Sequence, residues 1–216
     1  MKKRTALCWT IAVALLLGVA GVQYAGNMGF RLNFNMPGGP GPRSLDGTCA
    51  LALPYCQKTT ITTAEDLLID VPNAVGVGFL NKGNNLGVRY TGAAGTPPDF
   101  TLNPGEGYFV TVTAQTDYLM AGTHDPLLTL SFSSGGLDGT CLTAFPYHST
   151  LVFASEAQQD IGFPTVTGIG FLNKLNNLGV RYTGVAGTPP DFMLIPGVSY
   201  FVTVTADVAG YTPPHY

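Results

Sequence analysis

The sequence predicts an all-β fold, made of two tandem small β-sandwich or barrel-like modules with one short helix in each. Three observations support this prediction. A long segment occurs twice at an offset of 92 residues, apolar residues alternate with polar ones in short runs, and Gly, Pro and Asn separate those runs. Alternation with a period of two is typical of strands with one buried face, and frequent turn residues are typical of chains of short strands. A repeat of about 90 residues is long enough to form one small domain.

The repeat is strongest in its second half. Residues 78–114 and 170–206 differ at six of 37 positions, whereas residues 45–77 and 137–169 match at only 11 of 33. A shared core alone would not preserve polar residues such as Asn84 and Arg89. Either this half was duplicated or homogenised recently, or it presents one surface twice. In the second case two linked sites gain avidity from their effective concentration.

The first 25 residues have the layout of a secretory signal peptide. Three cations at positions 2–4 precede an apolar run over residues 6–22, and cleavage fits after Ala20 or Ala25. An uncleaved membrane anchor is the alternative, because the run approaches the roughly 20 residues that span a bilayer. We prefer cleavage, which predicts a secreted or cell-surface protein, bacterial extracellular or periplasmic, with no membrane span. The predicted division is a signal peptide at 1–25 and β-modules at 26–126 and 127–216.

Charged residues are scarce in this chain. They make up 11% of it, against about 25% in typical soluble domains. Removal of the three leader cations leaves seven Lys and Arg against 13 Asp and Glu, a net charge of 7 − 13 = −6. No basic patch with interleaved aromatic residues is present, so we expect no nucleic-acid partner. A neutral polar surface suits a secreted protein that packs against copies of itself or against sugar.

Two strands are predicted at the start of each module. Apolar residues alternate over 30–34 and again over 128–132, which indicates a first strand. Residues 40–44 are predicted to form a surface loop that only the first module has. The segments TCALALPY and TCLTAFPY indicate a second strand, which ends at Pro54 or Pro146 because proline cannot donate a ladder hydrogen bond.

A short helix of about two turns is predicted next in each module. Thr63 stands three residues before Asp66, and Ser155 stands three residues before Gln158. Both spacings are typical of a helix N-cap, the second as a capping box and the first as a variant of it. We therefore expect the helices to begin after Thr63 and Ser155.

A hairpin and a final strand complete each module. Asn-rich turns at 81–85 and 173–177 join two strands, because Asn tolerates the positive φ angles of tight turns. Pro104 and Gly105 fit the middle of a type II turn. In the strand that follows, the side chains at 108, 110 and 112 should face one way and those at 109, 111 and 113 the other.

Two short motifs recur in each module, one ending in LPY or FPY and one beginning with PG. They occupy residues 48–55 with 104–110, and 140–147 with 196–202. This pair resembles the "WNLISLPY … PGxGYWV" pattern of a module in many secreted bacterial and archaeal proteins. Here Thr replaces the usual Trp in both modules, and the second module lacks the second Gly. The resemblance implies an extracellular, non-catalytic β-module and assigns no site residues.

The sequence contains no catalytic constellation. His124, His148 and His215 have no equivalents in the other module, and no GxSxG, HExxH, P-loop or CxxC motif is present. We therefore predict a protein that is not an enzyme and needs no cofactor. A hydrolase accessory subunit or a cryptic enzyme is a weaker alternative.

Acidic residues recur in the motifs LDGT and PPDF. A calcium site assembled from these loops is one interpretation. The interpretation that we prefer is ordinary turn residues, because Asp before Gly or after Pro-Pro is common in turns. The residues are Asp46, Asp138, Asp99 and Asp191.

Three cysteines remain after the leader is removed. Cys49 and Cys141 are equivalent, and His148 takes the place of Cys56 in the second module. We prefer to interpret Cys49 and Cys141 as small buried apolar residues. The alternatives are a Cys49–Cys56 disulfide, which requires a bend that brings the Cα atoms within about 7 Å, and an intermolecular pair or a free thiol.

The hairpin carries the predicted binding face. Adjacent Arg and Tyr residues could offer sugar a planar cation beside an aromatic ring, although we prefer a role in cross-strand packing. We predict a secreted, non-enzymatic structural or adhesive surface protein that self-associates, with a carbohydrate-binding protein that recognises surface glycan as the alternative. The candidate residues are Asn84, Asn85, Arg89, Tyr90, Asn176, Asn177, Arg181 and Tyr182.

Overall fold

A computed structural model describes most of the chain beyond residue 26. The described residues are 27–34, 48–52, 61–81, 86–95, 97–123, 127–136, 138–146, 148–173, 178–185 and 189–215. Several predictions concern residues outside these ranges. They are the leader at 1–25, the loop at 40–44, Asp46, Cys56, His124 and the asparagines at 84, 85, 176 and 177.

The described residues form twelve strands and two helices, which follow one another in the same order in each repeat. No helix among them is long and apolar enough to cross a membrane. The elements are β1 (Asn27–Phe34), β2 (Thr48–Ala52), α1 (Ala64–Asp70), β3 (Ala74–Asn81), β4 (Leu86–Tyr90), β5 (Gly107–Val112), β6 (Thr116–Thr123), β7 (Leu130–Phe132), β8 (Thr140–Ala144), α2 (Ala154–Gly162), β9 (Val166–Asn173), β10 (Leu178–Tyr182), β11 (Ser199–Val204) and β12 (Val208–Tyr211).

The strands pair in the same way in both repeats, and every pair is antiparallel. One four-stranded sheet has the order β2-β5-β3-β4 and the other the order β8-β11-β9-β10. The first and last strands of each repeat pair with each other, β1 with β6 and β7 with β12. The prediction of a β-rich fold with a short helix in each repeat is confirmed. The finer prediction of sandwich or barrel-like modules stays a prediction.

Each repeat encloses its own cluster of buried apolar residues. In the first repeat, Leu67 of α1 packs with Tyr108, Val110 and Val112 of β5, each of them at most 1% exposed. Alternation predicted that these three side chains of β5 share one face. In the second repeat α2 buries Ala154, Ala157, Gln158 and Ile161, at the three- and four-residue spacing of one helix face.

The two helices begin differently. Thr63 caps α1 as predicted: its Oγ1 accepts the N–H of Asp66 at 3.3 Å, and the Asp66 carboxylate accepts the N–H of Thr63 at 3.0 Å. The prediction that Ser155 caps α2 was wrong, because α2 begins at Ala154 after Phe153. The Glu156 carboxylate accepts the N–H of Phe153 at 3.1 Å, so the carboxylate satisfies the helix start without a capping hydroxyl.

The predicted type II turn at Gly105 is present before β5, and its equivalent at Gly197 precedes β11. Gly105 has φ of 82° and Gly197 has φ of 81°. The N–H of Glu106 donates to the carbonyl oxygen of Asn103 at 3.3 Å across the first turn. A positive φ at the third residue of such a turn is readily adopted only by glycine, which explains the repeated Pro-Gly.

The two repeats pack against each other through the sheet faces that point away from their cores. The carbonyl oxygen of Gly105 accepts the N–H of Ala144 at 2.9 Å and the hydroxyl of Thr143 at 3.0 Å. The rings of Phe109 and Phe201 lie 6.2 Å apart, centroid to centroid. Both faces of β5 are therefore covered, one by the core of its own repeat and the other by the second repeat.

Candidate functional site

The predicted binding face lies on the hairpins β3–β4 and β9–β10. The strand register places Arg89 opposite Gly78 and Arg181 opposite Gly170. Strands β4 and β10 each form one edge of their sheet, and β2 and β8 form the other edges. An edge strand presents one row of backbone N–H and C=O groups away from its neighbour, where another strand can pair. The hairpins therefore combine the repeated arginines with a backbone edge.

Each arginine lies across a glycine of the neighbouring strand. A Cβ atom added at Gly76 would collide with Nε of Arg89, and one added at Gly168 would collide with Nε of Arg181. Nη2 of Arg181 also donates to Oγ1 of Thr167 at 3.1 Å. These contacts hold the guanidinium groups against the sheet, and they support the role in cross-strand packing that we preferred.

The tyrosines face the opposite side of the strand from the arginines. Tyr90 is 9% exposed and belongs to the first core, and Tyr182 is partly buried against the second core. Successive side chains of a strand point to opposite faces, so Arg89 cannot stand beside Tyr90 on one surface. The structure therefore does not bring the planar cation and the aromatic ring together.

The aspartates of the PPDF motif connect that loop to the start of the helix. Oδ1 of Asp99 accepts the N–H of Glu65 at 2.9 Å, and Oδ1 of Asp191 accepts the N–H of Ser155 at 3.0 Å. Asp138 accepts a backbone N–H two residues ahead at 3.0 Å, as turn aspartates do. A carboxylate at a helix N-terminus is stabilised by the helix dipole. Nowhere in the described residues does a group of three or more His, Cys, Asp or Glu side chains lie close enough together to hold a metal ion.

Two side chains that are often reactive are buried in the second repeat. Cys141 is 2% exposed, and the N–H of Ser133 donates to its Sγ at 3.4 Å, which confirms its interpretation as a small buried residue. The side chain of Cys49 lies outside the described part of the chain. His148 is buried and packs edge to face against His215, with ring centroids 5.3 Å apart. No sequence pattern indicated this pair, because the two histidines lie in separate segments.

The second repeat also carries an exposed apolar surface that the sequence analysis missed. Val152 is 42% exposed, Phe153 39%, and Met193 and Ile195 60% each. We call these four residues the apolar patch. An antiparallel bridge joins Phe153 to Met193, so the patch is built on two adjacent extended segments. Two of the six differences between the repeated segments, at 101/193 and 103/195, replace a polar residue by an apolar one, and they could have revealed the patch.

The chain matches no protein-family model, no curated protein and no solved structure. What the architecture itself defines is a β-rich protein of antiparallel sheets in which two sequence repeats have the same strand order. Any function must therefore be argued from the hairpin edges and the surfaces of this chain.

Proposed function

We propose that this protein is a secreted, non-enzymatic structural or adhesive surface protein, made of two β-sandwich modules, which assembles with copies of itself. One observation carries the proposal: the same five residues, LGVRY, form an edge strand in each of the two four-stranded sheets. The leader pattern and the scarcity of charge in the sequence support secretion and close packing between copies.

Edge strands are a common route to association between protein chains. A strand from another copy can extend the sheet, because backbone hydrogen bonds need no particular side chain. Gly87 of β4 and Gly179 of β10 are exposed, and no atom lies within 4 Å of a Cβ added at either position. Each chain offers two such edges, so contacts between them join chains in series and produce fibres or sheets.

The carbohydrate alternative has less support on this face. Sugar rings usually stack on exposed aromatic rings, and Tyr90 contributes its ring to the first core instead. Arg89 also lies across Gly76 rather than beside an aromatic ring. We therefore propose self-assembly ahead of glycan binding.

The test places a charge on both edges at once. Gly87→Lys with Gly179→Lys fits the open space at these positions, and a lysine on an edge strand opposes pairing between edges. We expect the unmodified protein to form ordered assemblies in negative-stain electron microscopy as its concentration rises, and the lysine variant to remain dispersed.

Two matched variants separate an edge effect from other causes. Gly87→Ser with Gly179→Ser changes the same positions without charge, and Ala114→Lys with Ala206→Lys adds the same charge at exposed positions outside the strands. Both controls should assemble like the unmodified protein. Dispersed particles of the unmodified protein up to millimolar concentration would refute the proposal, and so would normal assembly of the lysine edge variant.

A further inference from the structure

The apolar patch occupies a backbone arrangement that both repeats share. The bridge between Phe153 and Met193 corresponds to the bridge between Thr63 and Thr101 in the first repeat. Beside the bridge in the second repeat, the N–H of Leu194 donates to the carbonyl oxygen of Val152 at 2.8 Å. In the first repeat the N–H of Leu102 donates to the carbonyl oxygen of Thr62 at the same distance. The local fold is therefore the same, and the side chains can be compared one by one.

The comparison shows that the patch is not required for folding. The first repeat builds this surface with polar residues, so the backbone accepts them without loss of the bridge. Exposed apolar side chains that cluster on a surface often mark an interaction site. The residues Thr62, Thr63, Thr101 and Asn103 of the first repeat correspond to Val152, Phe153, Met193 and Ile195 of the second.

A recess lies directly beside the patch. It has a volume of about 190 Å³, and Val152 and Ile195 of the patch form part of its wall. Phe145, Leu194 and Tyr200 are among the other residues of the wall, and polar atoms form nearly as much of its surface as apolar atoms do. One surface therefore presents both projecting apolar side chains and a recess that can receive one.

We propose that a second copy of this chain covers the apolar patch, in a two-fold contact that places a projecting side chain of each copy in the recess of the other. A two-fold contact uses the same surface on both partners, so that surface must be complementary to itself. The exposed side chains of Phe153 and Met193 offer the projecting half of such a contact, and the recess lined in part by Val152 and Ile195 offers the receiving half.

The charges around the patch agree with an uncharged partner surface. Within residues 148–156 and 189–200 there is no Lys or Arg, and the carboxylates are those of Glu156 and Asp191. Both carboxylates already accept backbone N–H groups, from Phe153 at 3.1 Å and from Ser155 at 3.0 Å. Neither carboxylate therefore requires a basic partner, and each is held at the helix start rather than projecting into the contact.

The chain itself shows that these repeats can pack on one another. Phe109 and Phe201 occupy equivalent positions in the two repeats and contact each other across the interface between the sheets. The proposal rests on the proposed function only in that both require association between copies. The two contacts differ in number, because both repeats carry an edge whereas only the second carries a patch. Because each chain carries one patch, a two-fold contact between patches uses both patches and stops at a dimer.

The patch is small beside a standard interface of about 800 Å² per partner. We therefore expect a weak dimer that forms as the concentration approaches the millimolar range.

The test measures sedimentation velocity over a concentration series. It uses the full chain, purified as an expression host exports it, with Gly87→Lys and Gly179→Lys present so that β4 and β10 cannot pair between copies. We expect this background to dimerise. Phe153→Thr alone should raise the dissociation constant about tenfold, as loss of one central apolar anchor does. Replacing all four patch residues by their counterparts, Val152→Thr, Phe153→Thr, Met193→Thr and Ile195→Asn, should leave only monomer.

A control variant removes apolar surface elsewhere. Ile69→Thr, Leu119→Thr and Val185→Thr change side chains that are 76%, 67% and 66% exposed and lie outside the patch. This variant should dimerise like the background. If it also becomes monomeric, the association is not specific to the patch and the proposal is wrong.

A variant with a gained patch makes the test independent of any folding defect. Thr62→Val, Thr101→Met and Asn103→Ile give the first repeat three of the four patch residues, and we expect species larger than a dimer. A background that stays monomeric at millimolar concentration would overturn the proposal, even if the patch bound another protein. Dimers of the background without fibres of the unmodified chain would sustain the patch contact and refute assembly through the edges.

Discussion

The hairpin of the first repeat makes a prediction in which one substitution has opposite effects at two glycines. A Cβ atom added at Gly78 would stand 2.5 Å from the carbonyl oxygen of Val88, whereas one added at Gly87 would meet no atom within 4 Å. Neither glycine has a positive φ, so alanine is compatible with the backbone at both. We expect Gly78→Ala to destabilise the protein and Gly87→Ala to stabilise it.

The magnitudes follow from these distances. Ordinary contact begins at 3.4 Å, so the paired backbone must move by 3.4 − 2.5 = 0.9 Å to accept a methyl group at Gly78. Forced overpacking of this kind costs about 1–3 kcal/mol. Any Gly→Ala change also restricts the unfolded chain, which contributes about 0.4–1 kcal/mol of stability. We therefore expect Gly78→Ala to lower the free energy of unfolding by up to about 2.6 kcal/mol and Gly87→Ala to raise it by about 0.4–1 kcal/mol.

Urea unfolding followed by far-UV circular dichroism measures both changes. Backbone dichroism is needed because the only tryptophan, Trp9, lies in the predicted leader. The second repeat provides a replicate. A Cβ atom added at Gly170 would lie 2.7 Å from the carbonyl oxygen of Val180, whereas one added at Gly179 would meet no atom within 4 Å. Equal effects of the two substitutions in one hairpin would refute the register that we describe.

Two further predictions concern pH and hydrogen bonding. Hydrogen bonds from Thr62 and Thr63 lower the pKa of Asp66 from its ordinary 3.8. The stability that these hydrogen bonds give the folded protein is fully present above pH 3.8 and is lost as the pH falls through the lowered pKa of Asp66. Asp66→Asn should therefore reduce the acid destabilisation seen in urea titrations below about pH 4, and an unchanged acid profile would contradict this. Burial and its hydrogen bond to Asp70 raise the pKa of Tyr118. The stability that the protonated Tyr118 hydroxyl contributes through this bond is present below about pH 10 and is lost at higher pH. Tyr118→Phe should cost about 1–2 kcal/mol at neutral pH and weaken the alkaline loss, whereas neutral-pH stability equal to that of the unmodified protein would argue against the bond.

The parts of the fold that the sequence predicted are those that local rules determine. Alternation placed Tyr108, Val110 and Val112 on one face of β5, and the Pro-Gly pair identified the turn at Gly105. The N-cap at Thr63 followed from a short polar side chain at the right spacing. Each of these features depends on residues within a few positions of one another.

The remaining features depend on contacts between distant segments. The start of α2 was wrong because Glu156, rather than Ser155, satisfies the N–H of Phe153, while Ser155 binds Asp191 from a loop far along the chain. The cover on the second face of β5 comes from the other repeat, which no local pattern reveals. The separation of Arg89 from Tyr90, in contrast, follows from strand alternation alone and was available from the sequence.

Imaging tests most directly whether the protein assembles with copies of itself. Negative-stain electron microscopy of the purified protein should show ordered fibres or sheets that grow with concentration, and these should be absent from the Gly87→Lys and Gly179→Lys variant. Single dispersed particles of the unmodified protein at every concentration up to the millimolar range would contradict the claim.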